Sequence, residues 1–151
     1  MKQYIGTKMI HARPMTRGAY NEYRGWTIPA DENPEDGGYL IRYPDGYESW
    51  SPLDVFEEAY RETDGMDFGL AIGAMKKGYR VARDGWNGKG MFLYYVPAAA
   101  YPPSTEVAKK AFGGEDVPYG AYVAMKTAQG NVVPWLASQT DMLSDDWYIV
   151  V

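Results

Sequence analysis

Cysteine is absent from the 151-residue chain, and histidine occurs once, at His11. Without thiols the protein has no disulfides, thiolate nucleophiles or sulfur-ligated zinc. A single histidine leaves little basis for a nucleophilic triad or a histidine-rich metal site. No apolar run reaches the length of about eighteen residues that a membrane span needs, and the first fourteen residues lack the apolar core of a secretory signal. We therefore expect an intracellular protein with no cofactor, no metal and no membrane partner.

Positive charge is scarce, since fifteen Lys and Arg face twenty Asp and Glu for a net charge of −5. Affinity for a nucleic-acid backbone comes from many Lys or Arg contacts that release counterions. The excess of acidic over basic residues lies mainly in residues 1–60, which hold six basic and ten acidic residues. Residues 61–151 hold nine basic and ten acidic residues. We therefore expect no polymeric nucleic acid as a partner, and we expect any small anion to be held by a few local donors.

Aromatic side chains are abundant, at 15 % of the chain with fourteen Tyr and five Trp. Tyr and Trp supply a large contact area and a polar tip at low entropic cost. Many of them are expected in the core. The number of Trp still leaves some available for flat ligands or subunit interfaces.

Residues 1–62 are predicted to form a small β-rich module with one helix. Alternation over residues 4–12 predicts a strand that stops at Pro14, and residues 38–50 predict a hairpin around Asp45-Gly46. A helix should follow, with Ser51 as its N-cap and Pro52 as its first residue.

Residues 66–151 are predicted to form an α+β domain, in which one main helix packs on a small, mainly antiparallel sheet. Asp67 should cap the helix and Gly78 should end it. Strands are predicted at residues 79–82, 91–96, 121–126, 132–135 and 147–151, with a glycine-rich tip at 84–90. Proline and glycine make residues 97–119 irregular, around a short helix at 105–111.

Two segments of this domain combine side chains that suit a nucleotide. Residues 85–91 offer an indole, an amide, a cation and three glycines, and residues 134–142 offer a second indole followed by four consecutive hydrogen-bonding side chains. Aromatic faces stack a base for roughly 1–3 kcal/mol each, while amides, hydroxyls and carboxylates bind base edges and ribose. A plain hairpin turn and a helix cap explain the same residues, and this alternative stays open.

Three carboxylates near the C-terminus support a catalytic alternative. Asp141, Asp145 and Asp146 have the chemistry to hold a divalent ion or to act as an acid and base pair. The simpler interpretation, which we favour, is a solvated loop before the last strand. A third hypothesis is a non-enzymatic structural or interaction protein whose Tyr and Trp surface binds other proteins.

Five short and uncommon motifs follow one another along this stretch: MDFG at 66–69, GWNGKGM at 85–91, VPW at 133–135, SQTDML at 138–143 and DW at 146–147. Through them the stretch 66–151 resembles the Thoeris anti-defence type 2 family of phage proteins. The resemblance implies a homo-oligomer, commonly a homotetramer, in the cytoplasm of the infected bacterium. It implies sequestration, without hydrolysis, of the glycocyclic ADP-ribose signal made by TIR-domain enzymes, and uptake of cyclic dinucleotides by some members.

The resemblance also implies roles for individual residues. Trp86 and Trp135 would be aromatic walls, and from this we predict that replacing either by alanine weakens binding by well over tenfold and leaves the fold largely intact. Residues 138–141 would bind ribose or base, Asn87 and the Gly88 backbone would make polar contacts, and Arg83, Lys89 and Lys126 would face the pyrophosphate. Residues 97–119 would be longer or differently built than in compact relatives, which affects pocket shape. The expected ligand-binding residues are Arg83, Trp86, Asn87, Gly88, Lys89, Met91, Pro134, Trp135, Ser138, Gln139, Thr140 and Asp141.

Overall fold

The computed structural model describes all residues, 1–151, and the chain divides into two compact units, Met1–Arg61 and Glu62–Val151. The first unit contains a three-stranded antiparallel sheet in the order β1-β2-β3 and two helices. Its elements are β1 (His11–Pro14), α1 (Arg17–Arg24), β2 (Gly38–Arg42), β3 (Glu48–Pro52) and α2 (Leu53–Ala59).

The two helices of the first unit cover opposite faces of its sheet. Directly paired residues share a face, so Trp50 and its partner Leu40 lie on one face of the sheet. Tyr39 directly precedes Leu40 in β2 and therefore lies on the other face. The Arg17 guanidinium from α1 sits 4.9 Å above the Trp50 ring. On the other face, Phe56 of α2 stacks on Tyr39 with the ring centroids 4.0 Å apart.

The predicted hairpin of this unit is confirmed, but the predictions around it need three corrections. The strand expected over residues 4–12 begins only at His11, because β2 ends at its partner Arg42 and nothing pairs with the residues before. A second helix, α1, was not predicted. The helix α2 begins at Leu53 with no side-chain cap, since the proposed cap Ser51 is part of strand β3.

The second unit contains a five-stranded antiparallel sheet in the order β10-β4-β5-β8-β9. The α+β class is confirmed. The strands of this sheet are β4 (Arg80–Arg83), β5 (Phe92–Val96), β8 (Tyr122–Lys126), β9 (Val132–Pro134) and β10 (Trp147–Val150).

Helix α3 (Phe68–Lys76) packs on this sheet and forms the core with it. As predicted, the Asp67 side chain accepts the Leu70 N–H at the start of the helix, and Gly78 takes the left-handed φ of 95° beyond its end. The fully buried core consists of Met66, Ala71, Ala74, Met75, Val81, Leu93 and Trp147. None of the five helices combines the length and the apolar composition of a membrane-spanning segment.

Residues 97–119 are more regular than the sequence suggests. The predicted short helix is present as α4 (Glu106–Ala111), capped by the Thr105 hydroxyl. On either side of it, β6 (Ala99–Tyr101) and β7 (Val117–Tyr119) pair as a separate two-stranded sheet. These strands were missed because they are three residues long and one of them contains Pro118.

Candidate functional site

Arg83, the last residue of β4, lies between two aspartates from the C-terminal part of the domain. Its Nη1 donates to Asp141 Oδ1 at 2.8 Å, and its Nε donates to Asp146 Oδ1 at 2.8 Å. Only 11 % of the Arg83 side chain is exposed. The guanidinium that the resemblance places opposite a pyrophosphate is therefore already engaged by two carboxylates of its own chain.

Asp141 is the most heavily hydrogen-bonded residue of the site. One carboxylate oxygen accepts from Arg83 and, at 3.1 Å, from Trp86 Nε1, while the other accepts from the backbone N–H and hydroxyl of Ser138. Ser138 and Asp141 form a capping box that starts helix α5 (Gln139–Leu143). Burial raises the pKa of Asp141, but the hydrogen bonds from Arg83, Trp86 and Ser138 outweigh it and lower the pKa to about 2.

This lowered pKa predicts a loss of stability in acid. A carboxyl that ionises more easily in the folded state stabilises it above its unfolded pKa, and the benefit disappears as the pH falls through the folded pKa. The ordinary value is 3.8 and the folded one about 2. We therefore expect the free energy of unfolding of Glu62–Val151 to fall by about 2 kcal/mol between roughly pH 4 and pH 2. Urea denaturation at a series of pH values, followed by tryptophan fluorescence, measures this loss.

The matched variant for this titration is Asp141→Asn, which removes the ionisable group and keeps its size. Its stability should be lower than that of the parent at neutral pH and should depend less on pH in the same acid range. A variant curve that runs parallel to the parent curve would show that Asp141 does not cause the acid sensitivity.

Asp146 fixes the start of the glycine-rich tip. Besides Arg83, it accepts the backbone N–H of Gly85 at 2.8 Å. Hydrogen bonding to Arg83 is the main reason that the pKa of Asp146 lies below its usual range. A Cβ on Gly85 would come within 2.8 Å of the Asp146 carboxylate, so the close approach needs glycine here.

The far end of the tip is held as well. Lys126 Nζ, from β8, donates to the Gly90 carbonyl at 3.1 Å, and Gly90 has a left-handed φ of 71°. Gly88 packs so closely on Met91 that a Cβ would overlap the sulfur. The tip is therefore anchored at both ends, and Lys126, like Arg83, already has a partner within the chain.

Trp86 and Trp135 belong to one aromatic cluster with the fully buried Trp147. Their ring centroids lie 6.3 Å apart at an interplanar angle of 60°, and those of Trp86 and Trp147 lie 5.4 Å apart. Both Trp86 and Trp135 are half-buried and pack against the core. Within one chain the two indoles contact each other and so do not face each other across a gap. Replacing either one by alanine would also remove packing against the core, so we expect such a variant to lose stability as well as ligand affinity.

Four of the predicted residues present exposed side chains that form no hydrogen bond or ion pair within the chain. Asn87 and Lys89 lie on the anchored tip, and Gln139 and Thr140 lie in the first turn of α5. Along the sequence they are neighbours of Trp86, Ser138 and Asp141, whose side chains are hydrogen-bonded within the site. The remaining predicted residue, Pro134, is exposed at the end of the edge strand β9.

The aspartate hypothesis is not favoured by the geometry. Arg83 occupies the place between Asp141 and Asp146 that a cation would need, and Asp145 is exposed. No group of three or more acidic or histidine residues is arranged to hold a metal ion anywhere in the chain.

Two cavities of the chain lie away from these segments. An open one of about 620 Å³ lies in the first unit, between the 31–37 loop and Trp50. A smaller one of about 170 Å³ lies in the second unit, between α3 and β8. A ligand held by the exposed residues at the tip would therefore use neither of them.

Comparison with known proteins gives a match over the whole of this domain. Residues 66–150 match the model of the Thoeris anti-defense 2-like domain, which is more than half of the chain. The chain belongs to the Thoeris anti-defense 2-like family. The match confirms the resemblance that was inferred from the sequence motifs. The chain therefore has the phage anti-defence role of this family.

A curated relative covers the same range. Thoeris anti-defense 2 of Bacillus phage SP01 is 39 % identical over 85 residues, which are 56 % of this chain and 94 % of the relative. Nearly the whole relative is thus matched, and residues 97–119 lie inside the range of the Thoeris anti-defense 2-like domain. The β6-α4-β7 segment is therefore part of the family domain. The unit Met1–Arg61 lies outside the match.

Proposed function

We propose that the Thoeris anti-defense 2-like domain is a sponge for a cyclic nucleotide immune signal. The ligand class is glycocyclic ADP-ribose, with cyclic dinucleotides as a second class. Binding in the cytoplasm of the infected bacterium would keep the signal from its receptor and so block Thoeris-type immunity. The observation that carries the proposal is that Asp141 hydrogen-bonds both Arg83 and Trp86, which joins the two segments predicted to bind the ligand.

Capture without cleavage is supported by the state of the ionisable groups. A general acid or base works best with a pKa near the pH of the cell and with a free path to the reacting atom. Asp141 and Asp146 instead have lowered pKa values and are bound to Arg83. The one histidine, His11, belongs to the other unit. Neither of these two aspartates is thus poised to donate or accept a proton, which supports capture without cleavage.

The charge of the pyrophosphate would be met by Lys89 and by backbone N–H groups of the tip. Lys89 is exposed and has no partner, whereas Arg83 and Lys126 are engaged within the chain. Glycines at 85, 88 and 90 let the backbone approach an anion closely.

Enclosure of the ligand would come from a second chain. Nanomolar capture corresponds to about −12 kcal/mol, which a few exposed groups on one surface do not supply. Ligand sites with high affinity are concave and bury most of the ligand. Since neither cavity described above borders the tip, we propose that the working form is a homo-oligomer, a homotetramer, with the tip at a subunit interface.

One experiment separates capture from cleavage. The protein is mixed with glycocyclic ADP-ribose, unbound ligand is removed by filtration, and the retained fraction is heated and analysed by mass spectrometry. We expect release of unaltered ligand. At a hundredfold excess of ligand over the dissociation constant, the stability of the folded protein should rise by about 2.7 kcal/mol in a thermal-shift assay.

Two other outcomes would replace this proposal. Linear products in the heated fraction would indicate a hydrolase of the same signal. Absence of retention and of thermal stabilisation, with cyclic ADP-ribose isomers and with cyclic dinucleotides alike, would favour a protein that acts by contacting other proteins.

A further inference from the structure

The first unit, outside the matched domain, carries a surface on which arginines and aromatic rings alternate. The surface consists of Arg13, Tyr23, Arg24, Trp26 and Arg42, and we call it the arginine–aromatic surface. The Arg13 guanidinium lies 6.0 Å from the centroid of the Tyr23 ring, and the Arg24 guanidinium lies 5.0 Å from that of Trp26. These residues come from β1, α1, the residues after α1 and β2, so the fold brings them together.

Glu48 connects the members of this surface. It accepts a hydrogen bond from the Tyr23 hydroxyl at 2.8 Å and one from Arg42 Nε at 2.8 Å. These two bonds lower the pKa of Glu48, and the charge of the nearby Arg24 lowers it further. The surface thus carries three arginines, and two of them, Arg42 and Arg24, lie near the single carboxylate of Glu48. The three arginines and Glu48 together have an excess of two positive charges in a protein whose net charge is −5.

The donors of this surface are available. The guanidiniums of Arg13 and Arg24 form no hydrogen bond or ion pair within the chain, although each rests on a ring. The rings are exposed too, Tyr23 at 48 % and Trp26 at 54 %. An exposed Arg held against a ring keeps its planar set of N–H groups free for a carboxylate or a phosphate. Trp26 also packs edge-on against the buried Tyr20, with the ring centroids 5.8 Å apart, so this ring is held in place.

We propose that the arginine–aromatic surface docks a short acidic segment of a partner protein. Arginine forks pair with carboxylates in a bidentate way, and exposed Tyr and Trp are the side chains that most often anchor protein interfaces. The surface is therefore a protein-docking site, separate from ligand capture by the second unit.

The charge of the whole unit favours a short acidic segment over a nucleic acid. Residues 1–61 contain seven Lys or Arg and ten Asp or Glu, a net charge of −3. Nucleic-acid binding depends on many phosphate contacts spread along the polyanion. Beyond the three arginines, a long polyanion would meet a net negative unit, whereas a segment with two or three carboxylates is neutralised by the surface itself.

The test uses the full chain and fluorescence anisotropy. The probe is a short labelled peptide of Glu and Asp that carries one Tyr and one Leu, and an oligothymidylate with the same number of negative charges is the comparison probe. We expect the peptide to bind more tightly than the oligonucleotide and to dissociate as salt is added. The double variant Arg13→Ala/Arg24→Ala should weaken peptide binding by about tenfold or more.

The matched control is Lys2→Ala/Lys8→Ala, which removes the same charge from the same unit outside the surface, and it should bind like the parent. A second variant, Arg13→Lys/Arg24→Lys, keeps the charge but loses the planar forks, so it should bind more weakly than the parent even if the alanine variant is poorly folded. Three results would overturn the proposal. They are no peptide binding by the parent, equal losses of affinity in Arg13→Ala/Arg24→Ala and in the control Lys2→Ala/Lys8→Ala, or oligonucleotide binding as tight as peptide binding.

Discussion

Replacing Arg83 by methionine is expected to lower the free energy of unfolding of Glu62–Val151 by about 3–5 kcal/mol, because it leaves two carboxylates without their counter-charge. The side chains of Arg83 and Asp141 are only 11 % and 12 % exposed, so water cannot fully replace the guanidinium. Asp141 would then be a poorly solvated carboxylate without a cation, next to the negative charge of Asp146, whose side chain is 32 % exposed. Urea denaturation at neutral pH, followed by the fluorescence of the tryptophan cluster, measures the change.

Lys89→Met is the matched control for this variant, since it makes the same substitution type at an exposed position without a partner. Its effect should stay within about 0.5 kcal/mol. Adding Asp141→Asn and Asp146→Asn to Arg83→Met should recover part of the loss, because the uncompensated charges are then removed together. If the free energy of unfolding falls no further in Arg83→Met than in Lys89→Met, the ion pairs of Arg83 with Asp141 and Asp146 contribute little to stability.

The elements that sequence reasoning predicted well are those with local signals at both ends. Helix α3 has a capping aspartate at its start and Gly78 after its end, and both act in the structure as expected. Helix α1 carries similar signals, since the Thr16 hydroxyl accepts the Ala19 N–H and Gly25 is left-handed. It was missed because only eight polar-rich residues lie between these caps, too few for a clear apolar stripe.

For the candidate site, the sequence predicted which segments matter but not how their side chains are used. Arg83 and Asp141 are 58 residues apart, and Arg83 and Asp146 are 63 apart, so no local spacing reveals these pairs. For Ser138 and Asp141 the sequence allowed both a ligand site and a helix cap. The structure shows the cap, and it adds that Asp141 also anchors Trp86.

The same geometry decides which residues can test ligand binding cleanly. Trp86 and Trp135 pack on the core, and Asp141 and Arg83 hold the tip, so their replacement changes stability and binding at once. Asn87, Lys89, Gln139 and Thr140 have exposed side chains without partners in the chain. Only this exposed set separates recognition of the ligand from construction of the site.

The double variant Asn87→Ala/Lys89→Ala is therefore expected to weaken binding of glycocyclic ADP-ribose by about a hundredfold, since it removes a charged and a neutral donor from the ligand. Calorimetric titration of parent and variant measures the affinity, and urea denaturation should show unfolding free energies within about 0.5 kcal/mol of each other. Lys110→Ala/Gln3→Ala removes one amine and one amide from exposed positions away from both predicted ligand-binding segments and should bind like the parent. If the variant at 87 and 89 binds as tightly as this control while the parent does bind, the anchored tip holds no ligand, and the contact surface must be sought on another part of the domain.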